Sequence, residues 1–313
     1  MLISVVLSFY NEEDNIPELV RRLRAVFNDR IGCDYELIFV NDDSTDRSLE
    51  LLLEERTKRP DIRIINMSRN FGVSECVMAG LHKARGDGVV YMDADLQDPP
   101  ELIEEMVRLW KEDKKTEVVY TTRTGRPGEH PFKMLLTKLG YQILQSTAHI
   151  DIKPNSGDFK LLSRRVVNEI VKLNEKRPFV RGLTTWVGFQ QKQLFYQREE
   201  RHSGKTKFPI YSWRVISNFL DSALISFSDV PLKLAFFIGS LACLVALILT
   251  AGVVYQYFVR TTLPGWSTLM VTMLMLGGGQ FMIMGVLGLY LNAVFQESKR
   301  RPNYIIKDLV GFE

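Results

Sequence analysis

The chain is poor in cysteine: Cys33, Cys76 and Cys243 are scattered through 313 residues with no Cys-x-x-Cys spacing. That excludes a disulfide framework and a cysteine zinc site, and fits a reducing compartment. Neither Gly-x-x-x-x-Gly-Lys-Ser/Thr nor Gly-x-Gly-x-x-Gly occurs, so a P-loop and a dinucleotide fingerprint are both excluded. The four histidines show no metal-ligand spacing. No sign of charge dominates, because 40 Lys+Arg against 37 Asp+Glu leave +3, too little to argue for a nucleic-acid partner. The opening stretch MLISVVLSFYNEED carries no basic leader and no cleavage-site pattern. It reads as the first strand of a domain that stays in the cytosol.

Two long stretches lack charge altogether, Leu234 to Val259 and Thr261 to Gln296. A membrane helix needs about 20 apolar residues to cross ~30 Å of hydrocarbon, and both runs are long enough. Between them, Pro264 and Gly265 break the helix and Trp266 suits an interface. The expected spans are 234–259 and 268–295, within a membrane region covering 232–296. Lys205, Lys207, Arg214 and Lys233 flank this region on one side and SKRRPNYIIK on the other, against Arg260 alone in the loop. The positive-inside rule places both flanks in the cytoplasm and the loop outside, in a cytoplasmic (plasma) membrane. Residues 209–231 mix aromatic and aliphatic side chains with Arg214 and Asp221, which fits helices lying along the interface. Residues 297–313 are expected as a cytoplasmic C-terminal tail. The glycine-rich GGGQFMIMGVLGLYL fits packing within the hairpin or a homo-oligomer contact, and both readings stay open.

The first 208 residues alternate. Apolar runs at ISVVLSF, YELIFVN, IRIIN, GVVYMD and EVVYTT read as strands, and most are separated by helical stretches such as NIPELVRRLRAVF and DRSLELLLEERTK. Such alternation predicts an α/β domain with a Rossmann-like, mostly parallel sheet covered on both faces. Ligands bind beyond the carboxyl ends of such strands. There the chain places YNEED, NDDSTD, MSRNFG and DADLQD, four polar and mostly acidic segments that the sheet would bring to one edge. Asp46 reads as a cap for the helix that follows. Asp93, Asp95 and Asp98 fall within six residues, a costly arrangement because like charges repel. Asp93, Asp95 and Gln97 form a hard oxygen set suited to Mg2+ or Mn2+, whose remaining ligands would come from water and a diphosphate.

VVLSFYNEEDNI, VNDDSTDRS, SRNFGVSECVMAGL and DADLQDPPELI together resemble family 2 glycosyltransferases of the GT-A fold. NSGDFKLLSRRVV, KRPFVRGLTTWVGF, ERHSGKTKF and ESKRRPNYIIK narrow the resemblance to polyprenyl-phosphate glycosyltransferases. Those of the bactoprenol (undecaprenyl-phosphate) glucosyltransferase type are nearest, and dolichyl-phosphate mannose synthases are more distant. The resemblance covers nearly the whole chain. It implies that Asp93, Asp95 and Gln97 hold the metal on a sugar nucleotide's diphosphate, and that Ser8, Tyr10, Glu12, Asp42, Asp93 and Ala94 contact the nucleotide. The chain departs from the family at Ser8, usually proline, at Asp43, usually glycine, and at Leu289 and Ala293, which replace an acid and a base.

The implied reaction is inverting transfer of a hexose, glucose first among the choices, from a UDP-sugar to a polyprenyl phosphate at the cytoplasmic face. Its lipid-linked product would pass to a flippase and a second glycosyltransferase. Asp158 matches the family position for a base or a positioning group. An anionic acceptor needs cations, and Arg123, Arg126, Arg201, Lys205 and Lys207 stand in glycine-containing segments suited to clamp phosphates. Two other readings are a polysaccharide synthase, whose Gln-x-x-Arg-Trp is missing from RGLTTW, and a membrane scaffold on an inactive transferase domain.

Overall fold

The computed structural model describes residues 1–124, residues 156–197 apart from 174 and 177, isolated positions between 235 and 255, and residues 265–312. Among these, residues up to 197 together with 301–312 form one compact unit, and residues 235–300 form another. Arg126, Arg201, Lys205, Lys207, the expected interface helices at 209–231 and most of the expected span at 234–259 lie outside the described residues.

The first unit is built on an eight-stranded sheet. In chain order its elements begin with β1 (Leu2–Phe9), α1 (Ile16–Ala25), a π-helical turn at Val26–Ile31, β2 (Asp34–Asn41) and α2 (Ser48–Lys58). They continue with β3 (Ile62–Met67), α3 (Val73–Lys83), β4 (Gly88–Asp93), α4 (Leu102–Glu112) and β5 (Val118–Arg123). The unit closes with β6 (Ser156–Ser163), α5 (Arg164–Leu173), α6 (Val180–Trp186), β7 (Gln191–Tyr196) and β8 (Ile306–Val310). All five strands expected from the apolar runs are present. The sheet order is β7-β5-β6-β4-β1-β2-β3-β8. The pairs β1/β2, β1/β4, β2/β3 and β5/β7 are parallel, whereas β6 and β8 run antiparallel to their neighbours.

Burial on both faces explains why β1 is apolar at consecutive positions. Val5, Val6 and Leu7 are all fully buried. One face packs Ile16, Leu19 and Leu23 of α1 with Ile103 and Met106 of α4. The other receives α3, whose Gly80 lies so close to β1 that an added Cβ would stand 2.2 Å from Val6 Cγ1.

β1 is flanked by β2 on one side and β4 on the other. The connections leaving β1 and β4 therefore part company at the top of the sheet and open a crevice there. Register fixes what lines it: Ser8 is level with Val40 on β2 and with Asp93 on β4.

Two features differ from the expectation. Residues 297–313 are not a free tail, because Ile306–Val310 closes the sheet as an edge strand on β3. The strands β6, β7 and β8 went unread, because each mixes polar with apolar residues at or near a sheet edge. In the second unit, α7 (Trp266–Ser298) covers the second expected span. Its stretch Met275–Ser298 is the one helix among the described residues long and apolar enough to cross a membrane, and none of it is buried. At 1.5 Å per residue, 24 residues reach about 36 Å.

Candidate active site

The crevice is assembled from the ends of β1 to β4. Ser8 Oγ donates to Asp93 Oδ1 at 3.2 Å, and the Ala94 amide donates to Ser8 O at 3.2 Å. A proline at position 8 could supply no hydroxyl, so the departure from the family pattern gives Asp93 a partner of its own. Asp93 has a pKa raised to about 7. Burial is the main cause, followed by the negative charges of Asp158, Asp95 and Asp98, with the Ser8 hydrogen bond opposing. Asp93 thus sits in a desolvated, negatively charged setting that a cation would relieve.

The DADLQD segment is held in a tight turn. Leu96, between Asp95 and Gln97, has φ = 57° and is fully buried in the core. A left-handed conformation is costly for leucine, and burial of its side chain offsets that strain. The turn is closed by the Gln97 amide, which donates to Asp95 Oδ1 at 3.2 Å. Asp98 points elsewhere. Its Oδ1 accepts from the Tyr196 hydroxyl and lies 3.8 Å from Arg123 Nη2. Arg123 Nε also donates to that hydroxyl at 3.1 Å. The expected phosphate cation Arg123 is therefore committed in part to Asp98. Glu101, which opens α4, is tied to α1 by two hydrogen bonds from Arg22, at 2.8 and 2.5 Å.

Asp158, on β6, is paired with Arg181 of α6, whose Nε stands 3.2 Å from Oδ1 while Nη2 donates to Oδ2. Burial raises the Asp158 pKa, but Arg181, with help from Lys160 and Arg123, holds it below the ordinary carboxylate value. Beside this pair Lys160 is fully buried and donates to Thr184 Oγ1 at 2.7 Å. Burial, with the neighbouring Arg181 charge, lowers its pKa to about 7. Arg181 and Lys160 were not singled out from the sequence. The only available signal was the placement of basic residues in KRPFVRG and SGDFK, which spacing alone does not link.

The β1 and β2 connections brace each other. The Asn11 amide donates to Ser44 Oγ at 3.0 Å, the Thr45 amide to Asn11 Oδ1 at 2.8 Å, and the Glu12 amide to Ser48 Oγ at 2.8 Å. Asp46 Oδ1 accepts from the Ser48 amide at 3.0 Å, the capping role expected for it. Glu12 is buried and its Oε2 accepts from Asn15 Nδ2 at 2.5 Å. Tyr10 is half-buried at the exit of β1. Asp42 is buried and accepts from the amides of Phe71 at 2.7 Å and Gly72 at 3.0 Å, one on each oxygen, and the Cys76 thiol lies against it as well. Asp43 has φ = 63°, the region where glycine is at ease, which accounts for the glycine usual there.

Among the described residues no three or more His, Cys, Asp or Glu side chains are grouped to hold a metal unaided. Asp93 and Asp95 do fit a hard divalent cation that takes one or two carboxylates and completes its shell with phosphate oxygens and water.

The sequence family described as glycosyl transferase family 2 matches residues 4–171. This chain belongs to that family and is a glycosyltransferase, and its mixed sheet is the GT-A-like α/β fold. A Bacillus subtilis (strain 168) relative described as the uncharacterized glycosyltransferase YkcC is 43% identical over 311 residues, covering 99% of this chain and 94% of the relative. The bactoprenol glucosyl transferase of Shigella phage SfV is 33% identical over 309 residues, covering 98% of this chain and 99% of the relative. Among solved structures, residues 1–349 of S. aureus TarS align over 63% of this chain and 60% of that one, at 18% identity and a TM-score of 0.45.

Proposed function

We propose that this glycosyltransferase moves a hexose, glucose first, from a UDP-sugar to a polyprenyl phosphate such as undecaprenyl phosphate, with inversion, at the cytoplasmic face of a membrane. The observation that carries the reading is the crevice at the ends of β1 and β4, where Asp93 ends the strand and Asp95 follows it in one tight turn. The Asp93 carboxylate is held there by Ser8, and its pKa is raised first by burial and then by neighbouring carboxylates. A site so negative is suited to a cation bound together with a nucleoside diphosphate. Similarity over nearly the full length to a bactoprenol glucosyl transferase supports the acceptor and the sugar.

In this reading Asp93, Asp95 and Gln97 hold Mg2+ or Mn2+, which would neutralise charge on the departing diphosphate. Ser8 Oγ holds the Asp93 carboxylate, and the Ala94 amide ties the end of β4 to the Ser8 carbonyl. Tyr10, Glu12 and Asp42 line the nucleotide end. An acceptor phosphate is already ionised near neutral pH, so its oxygen can attack the anomeric carbon as the nucleoside diphosphate leaves. Asp158, held ionised by Arg181, then serves to orient that guanidinium toward phosphate rather than to take a proton. Arg123, Arg126, Arg201, Lys205 and Lys207 supply further cations for the two phosphate groups.

Membrane attachment through two crossings is supported by connectivity. Because β8 is paired with β3, residues on either side of 198–300 share one sheet and one side of any bilayer. In this reading the intervening chain crosses and returns. Met275–Ser298 would be one crossing, and the uncharged run 234–259 the other. Incubating the purified full-length protein with undecaprenyl phosphate and a panel of UDP-sugars, with and without Mn2+, tests the reading by mass spectrometry of the lipid. A hexosyl-lipid phosphate formed only with metal is expected. Absence of any glycosylated lipid across the panel would rule the reading out.

A further inference from the structure

A row of buried amides links the C-terminal strand to the crevice. Asp308 on β8 stands opposite Asn66 at the end of β3. Asn66 donates through Nδ2 to Asp308 Oδ1, and its Oδ1 accepts from Asn41 Nδ2 at 3.3 Å. Asn41 accepts the Ser44 amide on its own Oδ1 at 2.9 Å, and Ser44 Oγ accepts the Asn11 amide at 3.0 Å. The order is imposed from the ends. A backbone N–H can only donate and a carboxylate oxygen accepts, so the two amides between them line up head to tail. Asn41 and Asn66 are buried, where water cannot replace a lost partner. A second contact reinforces the first, because the Ser68 amide donates to Ile305 O at 2.9 Å. The tail therefore grips β3 just before the segment whose Phe71 and Gly72 amides hold Asp42.

We propose that Asp308 is a positioning residue for the donor site. Through Asn66 and Asn41 it sets the turn at 42–46 against Asn11, and so the arrangement of the groups that meet the nucleotide. This rests on the reading that the β1 and β2 connections hold the donor. Asp308 touches no substrate itself. Its removal leaves Asn66 Nδ2 without that acceptor and the row anchored at the Ser44 end alone, so Asn66 and the Asn41 it steadies are held less firmly.

The test uses full-length Asp308→Ala, Asp308→Asn and, as a control outside the row, Lys307→Ala. Steady-state transfer from UDP-glucose to undecaprenyl phosphate is measured alongside hydrogen exchange of the 41–48 segment. For Asp308→Ala the donor KM should rise about 3- to 10-fold, the size expected for one lost hydrogen bond, with kcat and acceptor KM within about 2-fold. Exchange at the Ser44 amide should quicken. Asp308→Asn keeps an acceptor oxygen and should return close to wild type, and Lys307→Ala should match wild type throughout. An unchanged Ser44 exchange in Asp308→Ala overturns the inference, as does an equal loss of kcat and of both KM values. If the wild type uses no UDP-sugar at all, the donor reading falls separately, and the exchange measurement still decides the row.

Discussion

Lys160 shows how burial reshapes a single charge. Its ammonium would lie in the sheet beside Arg181, and burial lowers its pKa to about 7. In the unfolded chain the same group holds its proton up to about 10.5. Between those values the unfolded state carries a proton that the folded state lacks, so folding stability rises with pH through that window. Below about pH 7 both states are protonated and the slope vanishes. Lys160→Met should therefore flatten the melting temperature against pH between 7 and 9. The difference from wild type should approach, at most, about 1.4 kcal/mol per pH unit. Parallel profiles for the two proteins would show that Lys160 stays charged. Asp93, Asp95 and Gln97 stand out in the sequence because they follow an apolar run at close spacing, and the turn that carries them lies at the end of β4 as that run predicts. Lys160 and Arg181 went unread, because their meaning depends on β6 and α6 meeting β4 in space. Position 43 was flagged by comparison with the family, and its φ of 63° supplies the reason.

Among the elements, the strands legible in advance are those buried on both faces, β1 to β5, where apolar residues run consecutively. β8 was not, because its pattern IKDLV exposes three of five residues and presents a full hydrogen-bonding partner only on one side. An edge strand is recognised by what it pairs with, and that partner lies about 240 positions earlier in the chain. Once paired, it shields the β3 edge from association with other chains. Phe312, just beyond it, stacks on Arg63 at 5.6 Å. Removing residues 301–313 should therefore lower the melting temperature by about 5 °C or more and increase aggregation, as read by scanning fluorimetry and light scattering. Unchanged melting and monodispersity would mean that the strand is not part of the stable sheet.

At the scale of the molecule, the chain carries a glycosyltransferase domain and a helix long and apolar enough to cross a membrane. Within α7, Met275 and Phe281 are each more than 70% exposed, and many of their apolar neighbours are at least half exposed. Such a surface calls for lipid or protein cover. The uncharged runs and the basic flanks were legible as composition; that residues 306–310 return to the sheet of the first unit was not. In a cysteine-free background, a cysteine at Ser267 should react with an impermeant thiol reagent added outside the cell. One at Ser298 should react only after lysis, and the reverse pattern would put the crevice on the wrong side for a cytosolic donor. The central claim is that the carboxylates at the end of β4 carry the transfer reaction. It is tested most directly by Asp95→Ala in the full-length protein, assayed for lipid-linked hexose from UDP-glucose and undecaprenyl phosphate with saturating Mg2+ or Mn2+. Transfer should fall by about 100-fold or more, the loss expected when charge stabilisation of a leaving group is removed, while membrane insertion and melting temperature stay at wild-type values. Turnover near the wild-type rate would contradict the account.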